Sequence, residues 1–296
     1  MTFMAESSSA TLPTQPALLK AREFDQIREL AYQYCGLDIH PGKEELVAAR
    51  LGKLLRKLGM TSFRQYYEYV TADASGPALV EMIDALTTNH TSFFREPQHF
   101  EFLSKTILPA LANRSKIEIW SAACSTGEEP YSLAIALLEH FASTHSPDIR
   151  IMATDISTRA IAAGELAVYP EERLHGMEHS LLKKHFLRGQ GESKGLCRLN
   201  PGVRRLVQFQ RLNLMEPFPS IGTYPLILCR NVMIYFDAAT QEHLVRRLSQ
   251  QLEPGGYLFI GHSESLNGIA HPLKYVRPAI YRKSGDGVTV SRLRAD

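Results

Sequence analysis

The stretch SAACSTGEEP, residues 121–130, follows a short apolar run, IEIW (117–120), and opens a helical pattern. A loop between a strand and a helix is where an α/β protein binds a nucleotide. A phosphate-binding fingerprint, however, needs several glycines so that backbone can reach the pyrophosphate. Here only Gly127 is present, and Glu128 and Glu129 follow it at once. Two carboxylates at a helix start repel phosphate and suit a ligand that carries a cationic amine. The small residues Ala122, Ala123, Cys124 and Ser125 let such a ligand lie close to the backbone. S-adenosylmethionine, with an ammonium, a sulfonium and no phosphate, has that chemistry. The same two acids would equally complement the helix dipole.

Other residues fall at equivalent places. Asp155 ends the run IRIMATD (149–155), where an acid can bond ribose hydroxyls or cap the next helix. Asn213 follows VQFQRL (207–212) and could meet a base edge. CRNVMIYFD (229–237) follows LILC and lacks the proline-rich NPPY-like loop of enzymes that methylate nucleic-acid amines, which favours a nucleophile that is already an anion. His175 and His179 stand four apart in HGMEH, but the glutamate is misplaced for a zinc helix, and no metal is expected. GHSES (261–265) lacks the GxSxG elbow of a hydrolase.

These residues need a framework. Runs at 117–120, 149–154, 207–212, 226–229 and 257–261 alternate with helical stretches, which predicts a mostly parallel sheet covered on both faces. The glycine-punctuated segment 189–209 reads as a small antiparallel β insert. Upstream, apolar residues recur at helical spacing from Phe24 to Val70, a small all-helical domain. The expected organisation is a disordered tail (1–17), a helical domain (18–90), a linker and helix (91–115), the sheet domain (116–285) and a tail (286–296).

Net charge is +2 over 296 residues, so composition alone points to no nucleic-acid partner. The four cysteines are widely spaced, which argues against a disulfide framework or zinc knuckle and fits a cytoplasmic protein. No apolar run reaches the ~20 residues of a membrane-spanning helix.

The motifs ALTTNHTSFFRE (85–96), WSAACSTGEEPYSLA (120–134), ATDIS (153–157), RLNL (211–214), LILCRNVMIYFD (226–237) and LEPGGYLFIGHSESL (252–266) occur in an order that resembles the CheR family of bacterial chemoreceptor glutamate methyltransferases. The resemblance spans about Ala21 to Arg282. It implies a Rossmann-like class I methyltransferase domain behind an all-helical domain, using S-adenosylmethionine to convert receptor glutamates to methyl esters in sensory adaptation. It further implies that Asn89, Thr91 and Arg95 line the cofactor cleft, Glu129 holds the methionine amine, Asp155 the ribose, and Asn213 with Leu214 the adenine. Arg230 and Asn231 would complete the pocket, and Tyr235, with Arg95, would serve the transfer itself. The implied partner is the cytoplasmic helical bundle of methyl-accepting chemotaxis receptors, in some members tethered by a receptor C-terminal peptide at the insert; the protein is expected to act as a monomer.

Arg50, Lys53, Arg56 and Lys57 in VAARLGKLLRKLGM form a basic stripe that would attract acidic receptor helices, or simply a solvated face. Two other classes compete: a methyltransferase acting on a different substrate, disfavoured by the missing NPPY-like loop, and a noncatalytic receptor adaptor, disfavoured by the intact Arg95, Glu129, Asp155 and Tyr235.

Overall fold

The computed structural model of the chain describes residues 17–72, 76–142, 147–218 and 222–285. The expected tails at 1–17 and 286–296 lie, but for Ala17, outside the described residues. The chain divides into two compact units, Met1–Thr88 and Asn89–Asp296.

In the first unit, helices α1 (Ala21–Cys35), α2 (Glu44–Lys57), α3 (Phe63–Ala72) and α4 (Pro77–Leu86) pack through the residues whose spacing announced them: Phe24, Ile27, Ala31, Leu51, Leu55, Phe63, Tyr66 and Val70 are all buried. Gly36 ends α1 in the left-handed conformation (φ 72°), its N–H bonded to the Tyr32 carbonyl. Gly76 is the N-cap of α4 in extended backbone, and proline occupies the first helical position after it.

The second unit begins with α5 (Pro97–Phe102), a π-helical turn (Leu103–Ile107) and α6 (Leu108–Leu111). Next come β1 (Lys116–Ala122), α7 (Glu128–Phe141), β2 (Asp148–Asp155) and α8 (Thr158–Leu166). After β3 (Val168–Pro170), α9 (His179–His185), β4 (Phe186–Arg188), β5 (Leu196–Leu199) and α10 (Pro201–Arg204) the chain forms β6 (Val207–Arg211), β7 (Tyr224–Leu228), α11 (Ala238–Gln251), β8 (Leu252–Phe259), β9 (Leu273–Arg277) and β10 (Ile280–Lys283).

The main sheet has the order β6-β2-β1-β7-β8-β10-β9; β6, β2, β1, β7 and β8 run parallel, and β10 pairs antiparallel with both β8 and β9. The period of two in β1 explains how both faces are filled. Ile117 and Ile119 join one core with Tyr131, Ile135 and Ile151, whereas Trp120 and Ala122 join the other with Ile227, Leu244 and Leu248. Strand order reverses between β1 and β7, which places the topological switch point at the carboxyl ends of these two strands.

The antiparallel insert is a separate three-stranded sheet, β3-β5-β4, lying in the crossover from β2 to β6. It starts at Val168, upstream of the expected 189–209. Residues 201–204 are helical and Val207–Arg211 belongs to the main sheet. The glycines mark only the turn between β4 and β5, because three-residue strands are too short to leave a periodic signal.

Candidate functional site

Five segments meet at the carboxyl edge of the parallel strands. The one after β1 is bent: Ala123, Ser125 and Gly127 all have positive φ (72°, 51° and 98°). Strain of this kind in non-glycine residues persists only where surrounding contacts over-determine it. Here the amides of Ala123 and Cys124 both donate to the Thr154 carbonyl of β2, and the Ser125 amide donates to Asp155 Oδ2 at 2.8 Å. At Gly127 a Cβ would lie 2.9 Å from the Tyr169 hydroxyl and 3.1 Å from the Gly164 Cα, so the lone glycine of the loop is sterically required.

The two acids after Gly127 part company. Glu128 is fully buried and faces away, ion-paired to Arg173 at 2.5 Å and bonded by Thr126 Oγ1. Glu129 turns to the strand ends, where its Oε1 accepts from Ser121 Oγ (2.7 Å) and its Oε2 from Arg230 Nη1 (2.8 Å). The expectation of a paired-acid site thus reduces to Glu129.

Arg230 follows β7 with its side chain 1% exposed. Its guanidinium also bonds Glu96 Oε2 (2.9 Å) and the Arg95 carbonyl (2.5 Å). Burying a guanidinium is costly unless its donors are met, and two carboxylates and a carbonyl meet them. The formal sum of Glu96, Glu129 and Arg230 is one negative charge. Burial alone would raise the pKa of Glu96, but Arg230 and the His262 amide hold it below the ordinary carboxylate value. Arg230 therefore stands behind Glu129 as its counter-ion.

The remaining expected residues fall into four groups. Asp155 caps the bend between β2 and α8, its Oδ1 accepting from Ser157 N–H at 2.9 Å; the oxygens it offers beside the β1 loop can each take more than one donor. Asn89 lies next to it, Nδ2 to Ser157 Oγ at 3.4 Å. Arg95 donates to the His90 carbonyl (2.9 Å) and so closes the turn that carries Thr91. Asn213 is 2% exposed and its Oδ1 accepts from Met215 N–H, which shapes the loop after β6. Leu214 is buried there as well, its carbonyl held by Arg247 Nη1 at 2.7 Å. Asn231 has φ 58° and its amide donates to Glu264 Oε2. Tyr235 ends a 3-10 turn, Met233–Tyr235, half-buried at the same edge; Met233 is core, but Ile234 is 48% exposed and not the core residue its type suggests.

Sequence reasoning passed over Glu96, Ser121 and Arg247. Glu96 has φ 60° and binds Arg230, Asn231 Nδ2 (3.4 Å) and the His262 amide (3.1 Å). The available signal was Arg230 itself, since an arginine directly after an apolar strand must find acids. Arg247 lies 3.9 Å over the Phe218 ring, which in turn meets Trp120 edge-on.

Glu96, His99 and His262 bring three potential ligand atoms within 4.8 Å of one another. Arg230 already holds Glu96, however, and its charge opposes a divalent cation there.

Comparison with known proteins covers both units. The all-alpha domain of the CheR methyltransferases matches residues 22–87, and the S-adenosylmethionine-binding domain of the same family matches residues 89–281. The chain belongs to the CheR methyltransferase family. Among its relatives, chemotaxis protein methyltransferase 2 of Pseudomonas aeruginosa is 41% identical over 88% of this chain and 92% of that protein. The chemotaxis protein methyltransferase of Borreliella burgdorferi is 36% identical over 88% and 94%, and that of Salmonella typhimurium 35% over 92% and 94%. As a CheR methyltransferase the chain uses S-adenosylmethionine, and the residues present fit it. The net charge of −1 over Glu96, Glu129 and Arg230 matches one ammonium, and the loop after β1 offers a strained, side-chain-bearing backbone unlike a phosphate cradle.

Proposed function

We propose that this chain transfers the methyl group of S-adenosylmethionine to glutamyl side chains on the cytoplasmic helical bundles of methyl-accepting chemotaxis receptors, giving glutamate methyl esters. The reading is supported above all by the family match across both units, at 41% identity to a chemotaxis protein methyltransferase. When bound, the cofactor supplies a methyl group on a sulfonium, which a carboxylate attacks directly.

A glutamate of pKa about 4.3 is ionised at neutral pH, so no residue of this chain has to remove a proton. Glu129 holds the cofactor's amine, backed by Ser121 and Arg230; Asp155 and Asn89 serve the ribose side; the loop of Asn213 and Leu214 borders the adenine. Arg95 and Thr91 belong to the turn that borders the acceptor, and Tyr235 lies beside the transferred methyl. The protein's task is alignment, which supplies about 7–11 kcal/mol in favourable systems. Lys53 and Arg56, both exposed, would meet the acidic receptor helices. Lys57 is also exposed but pairs with Glu81 at 2.8 Å, and Arg50 is committed to the Leu86 carbonyl and Thr88 Oγ1.

A receptor C-terminal peptide has a suitable dock at the antiparallel insert. Its outer strands β3 and β4 each pair on one side only among the described residues, and the lining of a cavity of about 510 Å³ beside β4 includes His175, His179, Lys183 and Arg188, the last paired with Glu171 at 3.7 Å. Added-strand pairing would supply affinity, and those bases would meet a terminal carboxylate. The protein would act as a cytoplasmic monomer.

The deciding experiment incubates the protein with methyl-tritiated S-adenosylmethionine and receptor-enriched membranes. Label released as methanol in mild alkali is the expected result, because carboxyl esters hydrolyse there. Label stable to alkali would mean amine or amide methylation and would remove the glutamate reading.

A further inference from the structure

Between β7 and α11 the chain makes the 3-10 turn Met233–Tyr235, and the residue before it, Val232, has no side chain that can cap it. The exposed amides of such a turn need acceptors. A residue from beyond the next strand provides them. Glu264 Oε1 accepts from the amides of Met233 (2.8 Å) and Ile234 (3.3 Å), and its Oε2 accepts from those of Asn231 (2.9 Å) and Gly261 (2.5 Å). One carboxylate thus ties the segment after β7 to the segment after β8 through three N–H groups of the former, with the Gly261 N–H fixing it within its own segment.

The fit is tight on both sides. Asn231 is held at φ 58°, and at Gly261 a Cβ would lie 2.4 Å from Asn231 Nδ2 and 2.9 Å from its backbone nitrogen. The turn anchored this way carries Ile234, whose side chain is largely in solvent, and the half-buried Tyr235. Burial pushes the Glu264 carboxyl above the pKa of a free glutamate, and its four N–H donors oppose that shift.

We propose that Glu264 is a positioning residue for methyl transfer, fixing the Asn231–Tyr235 segment at the acceptor side of the site through its four backbone hydrogen bonds. The proposal rests on the reading of Tyr235 given above. The role requires two acceptor oxygens, and this separates it from simple packing. Glutamine has the same shape but would point an NH2 group at two N–H donors, so Glu264→Gln should fail to rescue what Glu264→Ala loses.

The test compares the full chain with Glu264→Gln and Glu264→Ala in two assays, each variant first checked for cooperative thermal unfolding. Amide hydrogen exchange is read by mass spectrometry on peptides spanning 231–235, and kcat and KM are measured for transfer from S-adenosylmethionine to receptor membranes. Expected are faster exchange in that segment for both variants and a kcat lower by about 10- to 100-fold, the scale of an ångström-sized misplacement, with S-adenosylmethionine affinity changed far less. Wild-type exchange in Glu264→Gln would overturn the anchoring, and faster exchange with an unchanged kcat would overturn the positioning role. The exchange arm needs no methyl acceptor. If the wild-type protein gives no alkali-labile product, the glutamate reading falls while the anchoring is still decided.

Discussion

His99 shows how a single buried side chain sets a pH limit on the site. It is 1% exposed and stacks on Phe259 at 4.8 Å, and neither ring nitrogen has a hydrogen-bond partner among the described residues. Burial, reinforced by Arg230, pushes its pKa down from 6.5 to about 3. A base whose folded pKa is depressed refuses a proton that the unfolded chain accepts. Its stabilising contribution is complete above pH 6.5 and is lost as pH falls from 6.5 towards 3. At pH 5 the loss is about 2 kcal/mol. Urea unfolding at pH 7 and pH 5 should show a larger loss of stability in the wild-type protein than in His99→Gln, which has nothing to titrate there. Equal losses would mean that the imidazole is not held neutral.

At the scale of elements, the site is made by strand ends and the strained turns that leave them. Gly127→Ala forces a Cβ against Tyr169 and Gly164 at a φ of 98°, so the start of α7 must shift and Glu129 with it. Both stability and S-adenosylmethionine affinity should fall, the former by about 1–3 kcal/mol, as measured by thermal unfolding and calorimetric titration. A variant that binds the cofactor normally would show that the turn is not what places Glu129. The parallel strands were readable in the sequence as short apolar-rich runs alternating with helical stretches, and Gly127 and Asp155 drew attention because each stands at the end of such a run or in the loop after it, whereas Tyr235 came from the family resemblance. The insert was misread at its start because β3 and β4 have three residues each. The four-way carboxylate of Glu264 and the acids that pair with Arg230 were not identifiable for a different reason. They join residues up to 134 positions apart, and nothing in local periodicity records which residues meet.

For the molecule as a whole, the chain couples a helical unit with a basic helix to a unit that binds the cofactor. No described helix is long and apolar enough to cross a membrane. Lys53 and Arg56 lie on the exposed side of α2 with Leu51, Leu54 and Leu55 buried behind them. The double variant Lys53→Glu, Arg56→Glu should raise KM for receptor methylation about tenfold at low salt and leave kcat intact, with the difference shrinking as added salt shortens the Debye length to about 3 Å near 1 M. A salt-independent effect would point to lost folding instead of lost attraction.

Everything at the larger scales depends on Glu129 being the carboxylate that meets the cofactor's amine, within a Glu96, Glu129 and Arg230 group of net charge −1. Calorimetric titration of S-adenosylmethionine into the wild-type protein and into Glu129→Gln tests this directly, with circular dichroism confirming that the variant folds. Loss of a hydrogen bond to a charged group costs about 1.5–3 kcal/mol, so the variant should bind roughly 10- to 150-fold more weakly. Binding of wild-type strength in Glu129→Gln would contradict the assignment of the cofactor's amine to this carboxylate.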